Sequence, residues 1–204
     1  MSEYHHGGEI YDKEVRLDFS VNINPLGLAK GVREALIAGI DDLTHYPDQD
    51  CTGLTQTLSV HWGVPEEQIL IGAGASDLLR MATGAIMPRA AMICAPTFSG
   101  YARALSMIGC KIIYHYLKKE NQYALDEDFL ASLQEHPETE MVFLCQPNNP
   151  VGNCIDAQLL RDIASYCSRQ HIYLVVDECF LPFVKDGKER SMVAALSENA
   201  YLIV

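Results

Sequence analysis

Residues 142–152, VFLCQPNNPVG, decide the fold predicted for this chain. An apolar run of strand length ends there in a polar turn with two prolines and two asparagines. Pro147 and Pro150 have a fixed φ and no amide hydrogen, so they end the strand and stiffen the turn. Asn148 and Asn149 then lie at the carboxyl end of the strand. In open α/β sheets, ligands bind at this edge.

A second strand end carries an acidic pair. Residues 173–178 read YLVVDE, so Asp177 and Glu178 follow an apolar run. Taken alone, Asp177 either caps the next turn or pairs with a protonated ring nitrogen, whose pKa the carboxylate would raise. An amide at one strand end and a carboxylate at another suit a ring with a polar oxygen and a basic nitrogen. The sequence therefore predicts a ring-shaped cofactor.

Outward from these strands, apolar runs of strand length alternate with segments of helical spacing. We expect strands at residues 17–21, 69–71, 90–95, 111–117, 141–145, 172–177 and 201–204. We expect helices at residues 32–40, 54–62, 77–87, 101–108, 126–134 and 156–170, the last two capped by Asp126 and Asp156. This alternation predicts an α/β fold, a three-layer sandwich whose mostly parallel sheet is covered on both faces.

Two further turns at predicted strand ends could contact a ligand. Residues 72–76, GAGAS, lie between a strand and a helix, where backbone N–H groups and the helix dipole bind anions; plain turn chemistry is the alternative. Phe98 either stacks on a flat ring or is a core aromatic. An anion turn, an aromatic, an asparagine and an aspartate thus follow successive strands. Their combination favours a ligand site.

Composition and charge exclude several classes of function. Hydrophobic residues make up 49% of the 204 residues, which permits a sizeable core. The net charge of −12 argues against a nucleic-acid partner. The seven cysteines form no C-x-x-C pair, which favours reduced thiols over a disulfide framework. We expect no metal, because ligand spacing is absent around His61, His115, His136 and His171.

The N-terminus and the hydropathy of the chain predict a cytoplasmic location. The opening residues, MSEYHHGG, are polar and lack the apolar stretch of a signal peptide. No apolar run approaches the roughly 20 residues of a membrane-spanning helix. We therefore expect neither secretion nor membrane association.

Taken together, the motifs resemble those of fold-type I pyridoxal-phosphate enzymes. More narrowly, they are similar to the class I/II aminotransferases of the histidinol-phosphate aminotransferase branch, on the turns at residues 72–76, 96–98, 146–152 and 175–178. Residues 6–11 (HGGEIY) and 18–27 (DFSVNINPLG) look more like the threonine-phosphate decarboxylase group of that branch, which belongs to cobalamin biosynthesis. The resemblance covers essentially the whole chain.

The resemblance implies that pyridoxal 5′-phosphate is the cofactor and gives each motif residue a role. Ala75 and Ser76 would hold the cofactor phosphate through backbone amides and the hydroxyl. Phe98 would stack on the pyridine ring. Asn149 would donate a hydrogen bond to the phenolic oxygen, and Asp177 would pair with the protonated ring nitrogen.

Two residues of the N-terminal region have implied roles as well. Tyr46 matches a tyrosine that, in this family, reaches the phosphate of the neighbouring subunit, which implies a homodimer. Asn24, in the NPLG loop, is expected to contact the substrate carboxylate. The small substrate is expected to be a phosphorylated amino acid.

Two departures from the family pattern bear on activity. Aminotransferases of the family carry a tyrosine three positions after the aspartate. Here that position is Phe180, which fits the decarboxylase group better. The Schiff-base lysine of the family follows a strand that matches residues 201–204, so we expect it to lie beyond Val204. Lys185 and Lys188 lie in a charged stretch that reads as a solvated loop.

These departures lead to an expectation about domains. Residues 1–30 would form an N-terminal arm and loop, and residues 31–204 an incomplete large domain that binds pyridoxal phosphate. The C-terminal small domain of the family would be absent. On its own, this 204-residue fragment is expected to be inactive.

The resemblance therefore predicts an enzyme, foremost an L-threonine O-3-phosphate decarboxylase. One alternative is histidinol-phosphate aminotransferase, which would use the same cofactor site. Another is a non-catalytic fragment or assembly module. A nucleotide-binding domain is disfavoured, because the G-x-G-x-x-G and G-K-[ST] patterns are absent.

Overall fold

The computed structural model of the chain describes residues 7–8, 10–12 and 14–204. The chain divides into two units between Ile69 and Leu70. The predicted boundary at residue 30 stays a prediction. The N-terminal unit contains two of the helices, and the C-terminal unit contains the sheet.

The sheet has five parallel strands in the order β2-β1-β3-β4-β5. Their bounds are Ala90–Ala95 (β1), Lys111–Tyr116 (β2), Met141–Cys145 (β3), Tyr173–Asp177 (β4) and Leu202–Ile203 (β5). The bounds predicted for β1 and β3 are confirmed, and those for the other three are within two residues. The parallel α/β fold predicted from the sequence is confirmed.

The helices alternate with these strands along the C-terminal unit. In chain order the helices are Lys30–Ala38 (α1), Thr52–Trp62 (α2), Ala75–Ile86 (α3), Ser99–Met107 (α4), Asp128–Glu135 (α5), Ala157–Gln170 (α6) and Gly187–Arg190 (α7). Short 3-10 helices occupy several connections, the longest of them Met192–Glu198.

Helices cover both faces of the sheet, which produces the three-layer arrangement. On one face, Met92 and Val142 belong to a core cluster with Phe129 of α5 and Ile163 of α6. On the other face, the ring of Tyr101 from α4 stacks on Phe143 of β3. Because both sides of β1 and β3 are buried, these strands read as continuous apolar runs rather than alternating ones.

The strand order places a topological switch between β1 and β3. From β1 the chain passes through α4 to β2, which pairs with one edge of β1. From β2 it returns through α5 to β3, which pairs with the other edge of β1. The ladder between these two strands ends at the pair Ile93 and Phe143, before the strands themselves end. In sheets of this order the crevice at the switch point is where ligands bind.

Two predicted strands are wrong. At residues 17–21, Oδ1 of Asp18 accepts hydrogen bonds from the amide and the hydroxyl of Ser20, which bends the chain. Leu17 and Phe19 are 71% and 91% exposed instead of facing a core. At residues 69–71, no neighbouring strand is present among the described residues, and Leu70 is 59% exposed. Short apolar runs without a partner cannot satisfy their backbone as strands.

The two predicted helix caps differ in outcome. Asp156 caps α6 as predicted, because its Oδ1 accepts from the amides of Gln158 and Leu159 at 2.9 and 3.0 Å. Asp126 lies two residues before α5 begins, and its Oδ1 accepts from the amide of Asp128 at 3.1 Å. The α5 helix therefore starts two residues later than the start predicted at Asp126.

Three further findings concern residues 7–8, 10–12 and 14–204. No helix in this part of the chain is long and apolar enough to cross a membrane. The same residues contain no group of three or more His, Cys, Asp or Glu side chains that could hold a metal ion. All seven cysteines are free, and Cys94, Cys110, Cys145 and Cys167 are buried.

Candidate functional site

The turn after β3 is closed by the side chain of its first residue. Gln146 is only 1% exposed, and its Oε1 accepts a 2.7 Å hydrogen bond from the amide of Ile155. The backbone amide of Gln146 donates to the backbone carbonyl of Asp177 at 2.8 Å, which joins the turn to the end of β4. The polar turn and the acidic strand end therefore lie at neighbouring positions on the carboxyl edge of the sheet.

The two asparagines of this turn have different partners. Nδ2 of Asn148 donates to the carbonyl of Pro96 at 3.0 Å, and Oδ1 accepts from the hydroxyl of Thr97 at 2.9 Å. The side chain of Asn149 makes no hydrogen bond with the residues that the structure describes, and it is half-buried. Of the two, Asn149 therefore has its whole side-chain amide available for a ligand.

Asp177 is fixed by one donor on each oxygen. The hydroxyl of Tyr101 donates to Oδ2 at 2.7 Å, and the amide of Cys179 donates to Oδ1 at 3.0 Å. The carboxylate is half-buried at the end of β4. An ionised carboxylate has about four acceptor positions, so each oxygen can still accept a hydrogen bond from a ligand.

Tyr101 joins the aromatic residue at the end of β1 to this carboxylate. It is 0% exposed, and its ring stacks on Phe143 with centroids 5.2 Å apart. The ring of Phe98 meets that of Tyr101 edge to face at 5.6 Å. Burial, followed by the charge of Asp177, raises the pKa of the Tyr101 phenol, so the hydroxyl keeps its proton and acts as a donor.

The second carboxylate of the acidic pair has a structural role. Oε2 of Glu178 accepts from the hydroxyl of Ser191 at 2.6 Å, and Oε1 accepts from the amide of Met192 at 2.7 Å. Burial raises the pKa of the Glu178 carboxyl despite these two hydrogen bonds. Glu178 therefore anchors the segment that follows α7, and it leaves the ligand edge to Asp177.

The GAGAS turn leads into α3, which packs against α4. The amides of Ala75 and Ser76, and the Ser76 hydroxyl, have no acceptor among the described residues. The next side chain, Asp77, accepts at Oδ2 from the amide of Ala73. This hydrogen bond, and a second one from Arg80, lower the pKa of the Asp77 carboxyl. Free amides at the first turn of a helix are able to bind an anion.

The remaining predicted contacts belong to the N-terminal unit. The side chain of Asn24 bonds within its own turn, with Nδ2 donating to the carbonyl of Gly27 and Oδ1 accepting from the amide of Leu26, both at 3.0 Å. Tyr46 is 98% exposed. The roles predicted for both residues stay predictions.

The residues that marked the two departures also have definite positions. Phe180 is half-buried, and its ring lies 6.4 Å from that of Phe183. Lys185 precedes α7 and Lys188 lies within it, and both side chains are exposed.

Three contributors to this edge were not singled out from the sequence. Tyr101 occupies a buried position in a helix, and the only available signal was its spacing of one helical turn from Phe98. Gln146 and Asn148 were read as parts of a polar turn, without separate roles. Their function comes from contacts with the turn after β1 and with Ile155, which the local sequence does not reveal.

The arrangement has a definite chemical capacity. The C-terminal unit presents a carboxylate, an unpaired amide side chain and an aromatic ring at the carboxyl edge of adjacent parallel strands. A planar group with a basic nitrogen and an oxygen acceptor would find a partner for each. The free amides at the start of α3 could bind an anion.

Comparison with known proteins adds a family and several relatives. The family profile described as aminotransferase class I and II matches residues 14–204. Threonine-phosphate decarboxylase of Salmonella typhimurium is 37% identical over 207 residues, which cover 98% of this chain and 56% of that protein.

Two solved structures share the fold. The histidinol-phosphate aminotransferase of Clostridium acetobutylicum has a TM-score of 0.79 at 23% identity, over 89% of this chain and 52% of that one. The histidinol-phosphate aminotransferase of Sinorhizobium meliloti, in complex with pyridoxal-5′-phosphate, has a TM-score of 0.72 at 21% identity, over 80% and 44%. The chain spans about half the length of these relatives.

Proposed function

Because the chain belongs to the aminotransferase class I and II family, we propose that it binds pyridoxal 5′-phosphate at the carboxyl edge of its sheet and that the complete protein acts on a phosphorylated amino acid. The cofactor of the family is pyridoxal 5′-phosphate. The proposed substrate is L-threonine O-3-phosphate, which the enzyme decarboxylates. The observation that supports this site most directly is the unpaired amide of Asn149 beside the strand that ends in Asp177.

The ring of the cofactor fits the groups that this edge offers. Asp177 would accept the N–H of the protonated ring nitrogen, and its charge would favour that protonated form. Asn149 would donate to the phenolic oxygen, since its side-chain amide has no hydrogen-bond partner among residues 7–8, 10–12 and 14–204. Phe98 would cover one face of the ring, with its own position supported by the edge-to-face contact with Tyr101.

The phosphate fits the donors at the start of α3. The amides of Ala75 and Ser76 and the Ser76 hydroxyl would donate to its oxygens. The positive end of the helix dipole would add to this attraction despite the net charge of −12. Asp77 would not compete for the phosphate site, since its carboxylate is held by Ala73 and Arg80.

The bound cofactor supplies an electron sink for the electron pair left at the substrate α-carbon when the carboxylate leaves as carbon dioxide. Asp177 would keep the proton at the ring nitrogen throughout. The hydroxyl of Tyr101 and the amide of Cys179 hold that carboxylate in one orientation. Buried side chains below the edge, such as Tyr101 and Phe143, exclude water from its inner side.

Two residues of the N-terminal unit have proposed ligand contacts, one of them in a homodimer. Tyr46 would reach the phosphate bound by the partner subunit, and its near-complete exposure is compatible with such a contact. Asn24 would use its second Nδ2 hydrogen for the substrate carboxylate, because the first is donated to Gly27. A cytoplasmic location is part of the same proposal, in keeping with seven free cysteines.

We also propose that these 204 residues bind the cofactor without a covalent bond and do not turn over substrate by themselves. The two lysines nearest in sequence to Asp177, Lys185 and Lys188, are exposed. Borohydride reduction in the presence of pyridoxal phosphate, followed by mass spectrometry, tests this. A single stoichiometric adduct on either lysine would contradict the proposal.

The choice of reaction is tested by product analysis on the complete gene product. With L-threonine O-3-phosphate, we expect release of carbon dioxide and a phosphorylated amine without any keto acid as co-substrate. Phe180, in place of the usual tyrosine, supports decarboxylation over transamination. Transfer of the amino group from histidinol phosphate to a keto acid, with no carbon dioxide from threonine phosphate, would overturn it.

A further inference from the structure

The turns after β1 and β3 are joined by one side chain, that of Asn148. The ladder between the strands ends at Ile93 and Phe143, so these turns have no further strand pairing. Nδ2 of Asn148 donates to the carbonyl of Pro96 at 3.0 Å, and Oδ1 accepts from the hydroxyl of Thr97 at 2.9 Å. Its side chain therefore bridges the opening at the switch point.

The backbone of Asn148 closes its own turn at the same time. Its amide donates to the carbonyl of Asn153 at 2.8 Å, and its carbonyl accepts from the amide of Gly152 at 2.5 Å. Gly152 has a φ of +88°, a conformation that glycine adopts without strain. These two bonds fix the backbone from which the next residue, Asn149, extends.

We propose that Asn148 is a positioning residue that sets the location of Phe98 relative to Asn149. The two residues that its side chain holds, Pro96 and Thr97, directly precede Phe98. The backbone bonds of Asn148 to Gly152 and Asn153 fix the position from which Asn149, the next residue, extends. One asparagine thus fixes the aromatic that covers the cofactor ring and the amide that meets its phenolic oxygen. This inference rests on the proposed function.

Both bonds are needed for this role, and only asparagine supplies them at this length. The carbonyl of Pro96 needs a donor and the hydroxyl of Thr97 needs an acceptor, and the two ends of one amide group match that pair. Aspartate keeps the acceptor but turns a second oxygen towards the Pro96 carbonyl. Thr97→Ser keeps the hydroxyl donor, whereas Thr97→Val removes it with little change of shape.

The test compares Asn148→Ala, Thr97→Val and Thr97→Ser with the control Asn153→Ala. Asn153 lies in the same turn, but its Nδ2 donates to the carbonyl of Gln122 and not to residues 96–98. Pyridoxal phosphate is titrated into each protein, and the visible circular dichroism of the bound cofactor reports its orientation. Amide hydrogen exchange at residues 97–100 is measured without cofactor.

We expect Asn148→Ala to raise the Kd for pyridoxal phosphate about tenfold and Thr97→Val about threefold, with smaller visible dichroism. Thr97→Ser and Asn153→Ala should stay within about twofold of wild type. Amide exchange at residues 97–100 should become faster in Asn148→Ala and, to a smaller extent, in Thr97→Val, and it should stay unchanged in Thr97→Ser and Asn153→Ala. Equal effects of Asn148→Ala and Asn153→Ala, or unchanged exchange at residues 97–100, would overturn the inference. A wild-type chain that binds no pyridoxal phosphate would contradict the proposed function, while the exchange experiment would still decide the role of Asn148.

Discussion

The hydroxyl of Tyr101 donates a 2.7 Å hydrogen bond to Oδ2 of Asp177, across 76 positions of the sequence. Tyr101 lies in α4 on one face of the sheet, and Asp177 ends β4 at its carboxyl edge. Burial raises the pKa of the phenol, so the hydroxyl keeps its proton and donates to the carboxylate. The carboxylate proposed to meet the cofactor nitrogen is therefore oriented by the core of the protein.

Tyr101→Phe should remove this hydrogen bond while it keeps the packing of the ring. The phenyl ring can keep its contacts with Phe98 and Phe143, but Asp177 loses one donor. We expect the free energy of unfolding to fall by about 1–3 kcal/mol and the Kd for pyridoxal phosphate to rise. Chemical denaturation and cofactor titration measure the two effects. Tyr116→Phe is the control, because Tyr116 is 71% exposed and should give neither effect.

Gly100→Ala should weaken cofactor binding without unfolding the protein. A Cβ at this position would lie 2.3 Å from Cε1 of Phe98, so the phenyl ring must move. Alanine also favours the helix by about 1 kcal/mol, which offsets part of the steric cost. The control is Gly84→Ala in α3, where a Cβ meets nothing within 4 Å. We expect the control to raise the free energy of unfolding and leave the Kd unchanged. Equal Kd values in the two variants would show that the position of Phe98 is unimportant.

Gln146→Leu should destabilise the turn after β3 at its base. The substitution keeps a similar volume but removes the acceptor of the buried Ile155 amide. A buried donor without a partner costs about 1–3 kcal/mol, and we expect the free energy of unfolding to fall by that amount. Gln158→Leu, on the exposed side of α6, should change it little. A small effect of Gln146→Leu would mean that the turn does not depend on this closure.

Glu178 should make stability depend on pH in a predictable direction. Burial raises its pKa in the folded protein above the ordinary glutamate value of 4.5, so the folded state binds this proton more readily than the unfolded state. Stability relative to Glu178→Gln should therefore be greatest below pH 4.5 and decrease as pH rises through the folded pKa. Unfolding of both proteins across that range measures the difference. Glu189→Gln, an exposed carboxylate in α7, controls for the loss of charge. A difference that grows with pH would reverse the assigned sign.

The strands next to the site were predictable because every residue in them is apolar. β1 and β3 are buried on both faces, so each is an unbroken apolar run with a proline turn after it. The segment at residues 17–21 alternates apolar and polar residues instead, but Asp18 bends it and no strand lies beside it among the described residues. Apolar alternation alone does not report whether a partner strand exists.

The roles of neighbouring polar residues could not be separated from the sequence. Asn148 and Asn149 have the same side-chain chemistry. The side chain of Asn148 is held by Pro96 and Thr97, whereas that of Asn149 makes no hydrogen bond within the described part of the chain. Asp177 and Glu178 likewise differ in role. Glu178 accepts hydrogen bonds from Ser191 and Met192, whereas Asp177 lies at the proposed ligand site. These choices depend on contacts between distant segments, which only the folded chain brings together.

The most direct measurement is titration of pyridoxal phosphate into wild type, Asp177→Asn and Glu178→Gln. The two variants each remove one carboxylate charge at adjacent positions, but only Asp177 lies at the proposed ring nitrogen. We expect one cofactor per wild-type chain, a Kd raised at least about tenfold by Asp177→Asn, and a Kd within about twofold of wild type for Glu178→Gln. Equal Kd values for all three proteins, or an equal rise of the Kd in both variants, would contradict the account.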